Sequence, residues 1–347
     1  MKKNITITEI AKMAEVSVST VSLVLNGKTG VGPAARERVL RIAREHGYKG
    51  TTDSGLNRRH KTILFVNIVK HGHILNSNHQ AFVADYINGA QMEASKKGFS
   101  LEVAVFDRFD PAEITGYVNN SFASGAVVLA TELDEADVEH FLKIHIPLVF
   151  IDILCPFMPY DFVDMNNASS VYNMMSYLTR MGHSEVGVVA GRIGTINFQQ
   201  RLDAFENSMK HFGHKFRKEF VFTVESTYEG AYEDMRTLIK KHKEMPSALF
   251  CVNDIIALGC MRALKEAGYS IPNDISVAGY DNLPMSAMAE PPLTTVDVSK
   301  RSISTKAVRI LVQRIKEGSG MPYEKTVIGG EVVERGSVRN LSGEEEA

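Results

Sequence analysis

Cysteine is scarce in this chain: Cys155, Cys251 and Cys260 are the only three in 347 residues. Their odd number, their apolar surroundings and the lack of CxxC spacing exclude a disulfide framework and a zinc site, so they read as reduced packing residues. Long apolar runs are missing too. No segment reaches the roughly 18 apolar residues that a membrane-spanning helix needs, and the basic opening MKKNITITEIAKMAEV lacks an apolar core followed by a small-residue cleavage site. The expectation is a cytoplasmic protein with no membrane partner. GxSxG, the P-loop, HExxH and a strand-following GxGxxG are all absent, which leaves no catalytic residue to nominate and counts against an enzyme. No cofactor and no metal is expected.

What is present is an ordinary globular composition, 44% hydrophobic and 23% charged, on a chain long enough for two or three domains. The net charge of −2 hides an asymmetry. Residues 1–61 hold 12 Lys/Arg against 5 Asp/Glu, whereas the remainder holds 27 against 36. A small basic module therefore precedes a larger acidic body, as expected where the first part meets a polyanion. Charge alone does not separate that reading from a solvated basic face.

Thr6 to Tyr48 divides into three helical patterns. Thr6 and Glu9 form a capping box that starts a helix at Ile7, with Ile10, Ala11 and Ala14 as its apolar stripe. "AEVS" interrupts it, and Ser17 caps a second helix, SVSTVSLVLN. In that helix Val18, Val21 and Val24 or Leu25 have the spacing of a core face, leaving Ser19, Ser22 and Leu23 together outside. A third helix begins near Pro33 and runs through Val39, Leu40, Ile42 and Ala43 toward Gly47. Helix, tight turn, helix and a supporting third helix is the helix-turn-helix plan, whose second helix enters the major groove.

From Thr62 onward, apolar runs alternate with amphipathic stretches. ILFVNIV, LEVAVFD, GAVVLAT, PLVFID, VGVVAG, FVFTVE, ALFCV and SVAGYD read as strands, with helices between almost all of them. That alternation implies parallel sheets, and the restart near Val186 implies two similar α/β halves. Ligands in such folds bind outside the carboxyl ends of the strands, here between the halves.

ITITEIAKMAEVSVSTVSLVLNGKTGV with ERVLRIAREHGY resembles the DNA-binding domain of the LacI/GalR (lactose-repressor and purine-repressor) family, including its VSxxTVSxVLN core. TRMGHSEVGVVAG, NFQQRLDAF, SALFCVNDIIALGCMRALKEAGYSIPNDISVAGYDNLP and PPLTTV resemble the same family's effector domain, so the resemblance spans nearly the whole chain. The implied fold class is an N-terminal all-α helix-turn-helix domain plus an α/β two-lobed periplasmic-binding-protein-like (type I) effector domain with parallel sheets. The expected boundaries are 1–49 for the DNA-binding domain, 50–61 for a linker or hinge, 62–340 for the effector-binding and dimerisation domain, and 341–347 for an acidic tail.

Carried across by position, the resemblance implies phosphate-side contacts from Thr6, Ser17, Thr20, Ser22 and Asn26, and base-facing contacts from Val18, Ser19 and Leu23. Hydroxyls, amides and helix N-termini suit phosphates. Leu23 stands where relatives often carry a polar reader, and it offers only apolar contact, for instance with a thymine methyl. Glu15 stands where relatives commonly have Gly in the turn, and a left-handed backbone there costs roughly 1–2 kcal/mol. Gly32 and Ala35 replace the usual Ser and Thr beside the third helix.

The linker YKGTTDSGLNRRHKT has no Pro but contains Gly50 and Gly55, each opposing a hinge helix by about 1 kcal/mol. Two readings stand for it: Leu56 as a wedge into the minor groove, or a flexible basic tether with Arg58, Arg59 and Lys61 attracting phosphates.

For the effector, the resemblance nominates Arg201 and Asp254, with Thr195 and Asn197 on the same loop as Arg201. Asp254 could accept ligand hydrogen bonds and Arg201 offers a fork to oxygens; for each, a structural ion pair or helix cap is the alternative. An aromatic stacking position of some relatives falls near Ser226 and Tyr228. The stretch HGHILNSNHQAF carries His71, His73 and His79 without carboxylate or Cys spacing for a metal. His73, Asn76 and Asn78 are placed to bond a polar effector, or the loop caps the next helix. His183 matches a structural position.

The expected function is a sequence-specific DNA-binding transcriptional regulator, a repressor controlled by a small polar effector, a sugar or sugar derivative, between the lobes. Its expected partners are a pseudo-palindromic double-stranded DNA operator, the carbohydrate-like effector, and a second copy in a homodimer. Inducer and corepressor roles are equally open. A cytoplasmic solute-binding protein without a gene-regulatory role is the alternative; it accounts for the body but not for the capped helix-turn-helix.

Overall fold

A computed structural model describes residues 5–25, 30–46, 48, 61–242, 244–318 and 320–342. The first compact unit holds three helices, α1 (Ile7–Met13), α2 (Val18–Leu25) and α3 (Pro33–Glu45). The capping box forms as expected: the Glu9 amide donates to Thr6 Oγ1 at 3.3 Å and the Thr6 amide to Glu9 Oε2 at 2.7 Å. Ser17 starts α2, its hydroxyl accepting from the Thr20 amide at 3.0 Å. Ile10, Ala11, Ala14, Val21, Val24, Leu25, Val39 and Ile42 close one small core.

Two details differ from, or sharpen, the sequence reading. Val18 does not join that core; at the first turn of α2 it stays 48% exposed, because Val21, Val24 and Leu25 already fill the inward face. Glu15 has φ 53°, so this non-glycine residue does adopt the left-handed turn conformation.

The second unit contains two sheets. β1 (Thr62–Ile68), β2 (Ser100–Phe106), β3 (Gly125–Leu129), β4 (Leu148–Ile151), β5 (Asp161–Met165) and β11 (Lys325–Ile328) form the first, in the order β11-β5-β4-β3-β1-β2. β6 (Val186–Gly191), β7 (Val221–Val224), β8 (Ala248–Cys251) and β9 (Ser276–Ala278) form the second, in the order β7-β6-β8-β9, with every pairing parallel. β10 (Thr295–Asp297) and β12 (Glu331–Val333) pair antiparallel. The restart at Val186 is thus the start of the second sheet.

Helices fill the connections, as parallel strands require. They are α4 (Gln80–Lys96), α5 (Pro111–Asn120), α6 (Glu135–Glu139), α7 (Asn167–Arg180), α8 (Ile196–His211), α9 (Tyr228–Lys241), α10 (Asp254–Glu266), α11 (Pro284–Met288) and α12 (Lys300–Glu317). Among the described residues, none is long and apolar enough to cross a membrane.

Four strands escaped the hydropathy reading. β5, with sequence DFVDM, carries two acidic residues yet is buried throughout. Asp161 is neutralised from α12, where Arg314 reaches it through Nε at 2.5 Å and Nη2 at 2.8 Å. β10, β11 and β12 are only three or four residues long, so their periodicity is too brief to register.

The chain after β9 also returns to the first lobe: α12 packs on α4 and over β3, β4 and β5. Gly89 permits that approach, since a β-carbon there would lie 2.8 Å from Arg301 Cα. The three cysteines are buried thiols.

Candidate functional site

In the first unit, the residues nominated for DNA divide by exposure. Ser17, Val18 and Ser19 are exposed at the amino end of α2, while Thr20, Ser22 and Leu23 are half-buried along it. Thr6 and Ser17 each use their hydroxyl as a helix cap, and the Ser17 and Thr20 hydroxyls are 2.8 Å apart. This puts an apolar methyl pair and small hydroxyls at the positive end of a helix dipole, a surface suited to phosphates and thymine methyls. Asn26 and Leu56 lie outside the described residues.

The second unit gathers its polar residues where its sheets change direction. In the first sheet β2 and β3 lie on opposite sides of β1; in the second, β7 and β8 lie on opposite sides of β6. Both are topological switch points, at whose carboxyl ends folds of this kind bind their ligands. Asn67 and Asp164 stand at such ends in the first lobe, and Asn253 and Asp281 follow β8 and β9 in the second.

Arg201 is the hub. On α8 and only 3% exposed, it donates from Nε to Asn167 Oδ1 at 2.9 Å and from Nη1 to the Val252 carbonyl at 2.6 Å. Its Nη2 lies 2.9 Å from Met165 Sδ and 3.6 Å from Asp281 Oδ1, and its guanidinium stacks 3.8 Å above the Tyr280 ring. Met165 ends the first sheet's β5 and Val252 follows the second sheet's β8, so one side chain ties the carboxyl ends of both sheets together.

Asn197 extends the network. Its Nδ2 donates to the Asp152 carbonyl at 3.0 Å, to Asp152 Oδ1 at 3.1 Å and to Asp164 Oδ1 at 3.4 Å, while its Oδ1 accepts from Asn167. Asp152 is further held by the Tyr86 and Thr131 hydroxyls. Burial raises the affinity of both Asp152 and Asp164 for a proton, and the Asp164 charge raises that of Asp152 further.

Thr195 caps α8, accepting from the Phe198 amide at 3.2 Å. Asp254 is another nominated effector residue. Fully buried, it accepts from the Leu283 amide at 2.7 Å through one oxygen and from the Thr295 hydroxyl at 2.5 Å through the other. With one bond to each oxygen, this carboxylate anchors the loop after β9. Gly279 accommodates it, since a β-carbon there would lie 2.3 Å from Asp254 Oδ1. Desolvation pushes the Asp254 carboxyl up to about 7, with the Asp281 charge adding to it and the Thr295 bond opposing.

The histidine-bearing loop after β1 is organised by Glu132, which sequence reasoning missed. Its Oε2 accepts from the amides of Lys70, His71 and Gly72 at 2.9–3.0 Å, and its Oε1 from those of Ile74 and Leu75 at 2.8 Å. Burial drives this carboxyl up, yet the amides outweigh it and hold the group below its ordinary range. Nothing local in the sequence marks Glu132, because the loop it holds lies about sixty residues away.

The three histidines take three different partners. His71 faces Glu132 at 3.3 Å, His73 Nδ1 meets Glu225 Oε1 of the other lobe at 2.6 Å, and His79 Nε2 faces Asn253 Nδ2 at 3.4 Å. Among the described residues no cluster of three or more His, Cys, Asp or Glu is placed to hold a metal ion. Asn76 caps the short turn that follows, accepting from the Asn78 amide at 2.9 Å. Asn78 and Tyr228 line a cavity of about 610 Å³ beside Leu258, Met261 and Met285, so Asn78 is not among the residues that the Arg201 network brings together.

His183 is structural, bonded to the Ser247 hydroxyl at 2.9 Å and facing the Arg339 carbonyl at 3.1 Å. Beyond Glu132, the residues missed in sequence are Asp152, Asp164, Asn253 and Asp281. GYDN after β9, and VND after β8, were the local signals for the last two.

Residues 6–50 match the model of the bacterial regulatory proteins, lacI family, and residues 175–338 match a periplasmic binding protein-like domain. The HTH-type transcriptional repressor PurR of Actinobacillus pleuropneumoniae serotype 3 (strain JL03) is 30% identical over 97% of this chain and 99% of its own. A solved transcriptional regulator CelR–cellobiose complex superposes with a TM-score of 0.72 at 25% identity, covering 96% of this chain and 100% of that one. The lac repressor dimer bound to operator and the anti-inducer ONPF gives a TM-score of 0.70 at 21% identity, covering 97% and 100%.

Proposed function

The chain belongs to the lacI family of bacterial regulatory proteins and is a DNA-binding transcriptional repressor, not an enzyme; on that premise we propose that a sugar or sugar derivative, bound between its lobes, controls operator binding. Residues 1–49 read DNA, 50–61 form the hinge with Leu56 as its apolar wedge, 62–340 bind effector and a second copy, and 341–347 are an acidic tail. Two copies present two α2 helices to the half-sites of a pseudo-palindromic operator, the arrangement that two-fold symmetry favours.

In this reading Thr6, Ser17, Thr20, Ser22 and Asn26 meet phosphates, and Val18, Ser19 and Leu23 face bases. The effector touches Arg201 and Asn197 in the network, Thr195 at the head of α8, and His73 and Asn78 from the loop after β1. Asp254 serves by holding the loop that carries Asp281. The observation that carries the proposal is Arg201, which joins the strand ends of both lobes, so that a ligand at this guanidinium contacts both at once. The solved CelR complex, which holds cellobiose, supports a sugar.

Selection of bound sequences from a random duplex pool, at near-physiological salt and with or without a panel of sugars, tests it. A two-fold symmetric motif whose recovery changes with one sugar is the expected result. A sugar that releases DNA is an inducer and one that tightens binding a corepressor. A symmetric motif indifferent to every sugar removes the carbohydrate, and the loss of any motif removes autonomous operator reading.

A further inference from the structure

Five buried side-chain atoms among the described residues have no hydrogen-bond partner: Asn67 Oδ1, His79 Nδ1, Asp164 Oδ2, Ser226 Oγ and Asp281 Oδ1. All five belong to the carboxyl ends of strands or the loops that follow them: Asn67 in β1, His79 after it, Asp164 in β5, Ser226 after β7 and Asp281 after β9. Buried polar atoms are almost always paired, so such a set at the ligand crevice of this fold marks the groups a ligand completes.

The set is biased. The carbonyl of Asn67 and the oxygens of Asp164 and Asp281 can only accept from a donor when the carboxyls are ionised. His79 contributes the one fixed donor: its Nε2 accepts from Asn253 Nδ2, whose own Oδ1 is occupied by the Ile256 amide, so Nδ1 carries the hydrogen. Ser226 can serve either way.

Charge points in the same direction. Asp152, Asp164, Asp254 and Asp281 are each at most 3% exposed, and the buried cations beside them are Arg201 and Lys300. Arg201 is already divided among Asn167, the Val252 carbonyl, Met165 and Asp281, and Lys300 donates to the Asp281 backbone carbonyl at 2.6 Å. Two buried carboxylates therefore lack a cation. An anionic ligand, such as a sugar phosphate or a uronate, would add to that excess, whereas a cation would offset it.

Resting on the reading of the crevice as an effector site, we propose that the effector is an amino sugar, a polyhydroxylated ring whose protonated amine sits against the free Oδ2 of Asp164, with its hydroxyls donating to Asn67 and Asp281. Asp164 is the specificity determinant for the amine. Its other oxygen is tied to the Met165 amide at 2.8 Å and to Asn197, which aims the free oxygen and leaves it nothing in the chain to bind. Burial raises the proton affinity of all four carboxyls, as expected of carboxylates short of cations.

The test uses the full chain and its Asp164→Asn variant, with the melting temperature read at neutral pH against matched hexose sets: glucosamine, glucose and glucuronate, and galactosamine, galactose and galacturonate. The expected result is a saturable rise of several degrees with one amine, a smaller one with its neutral parent and none with the uronate. In Asp164→Asn the advantage of the amine over its parent disappears. Unliganded Asp164→Asn melts higher than the parent protein, because an uncompensated buried carboxylate is gone; a lower melting temperature makes Asp164 structural and overturns the proposal. The largest rise from a neutral or anionic member overturns the amine but keeps the crevice as an effector site. No rise from any member counts against both readings.

Discussion

His73 and Glu225 meet at 2.6 Å, one on the loop after β1 and the other on the loop after β7, so this side-chain pair is one of those that bridge the two lobes. Both are partly exposed, and solvent screens the pair. A double-mutant cycle with His73→Ala and Glu225→Ala is expected to give a coupling energy of about 0.5–1.5 kcal/mol in urea unfolding. A coupling of zero would mean that the two lobes are not held together at this point in solution.

Glu132 carries far more. Glu132→Ala leaves five loop amides without their acceptor in a buried place, and each buried donor so stranded costs about 1–3 kcal/mol unless water enters. The expected loss is at least about 3 kcal/mol, read as a lowered urea midpoint, with Glu132→Gln retaining part of it. Because the folded carboxyl is held below its ordinary value, its contribution is present above that value and is lost as pH falls through the folded one.

His79 titrates in the opposite sense from a paired histidine. Burial lowers it from 6.5 to about 4, with the Glu132 charge opposing and Arg201 assisting. Between those values the unfolded chain binds the proton and the folded one does not, so stability rises with pH across this window. It is of order 3 kcal/mol in favour of the fold above pH 6.5. His79→Asn is expected to flatten the fall in melting temperature between pH 6.5 and 4; an unchanged slope would show that His79 is protonated in the fold.

Glu15 at φ 53° bears a strain that glycine would not. Relief of about 1–2 kcal/mol is partly offset by the greater entropy of unfolded glycine, about 0.5–1 kcal/mol. Glu15→Gly is therefore expected to stabilise the helix-turn-helix by up to about 1 kcal/mol, measured by hydrogen exchange of the α1 and α2 amides. Weaker protection would place the turn's stability in the Glu15 side chain itself.

Val18 is the apolar residue that α2 leaves exposed at its amino end, next to Ser19. Val18→Ala is expected to relax preference at one symmetric operator position by about 1 kcal/mol while leaving the salt dependence of binding unchanged, because methyl contact carries no counterion release. A changed salt slope with unchanged sequence preference would place Val18 away from the bases.

Much of this protein was determined by its sequence alone, where the deciding interactions are local. The Thr6–Glu9 box, the Ser17 cap and the restart of the α/β alternation at Val186 each depend on residues within a few positions, so spacing revealed them, and the turn at Glu15 was implied by the family resemblance. Tertiary structure decided the rest. DFVDM reads as polar, yet it is a buried strand because Arg314, on a helix that returns from the far end of the chain, meets Asp161. Val18 has core spacing, but a three-helix unit this small is filled by Val21, Val24 and Leu25. Asp254 has the chemistry of a ligand contact, and only the folded loop shows its oxygens bound by Leu283 and Thr295, while Asp164 Oδ2 and Asp281 Oδ1 accept no hydrogen bond. Hydrogen bonds between residues scores of positions apart leave no periodic trace, and which carboxylate is spent and which is offered is settled only when the two lobes come together.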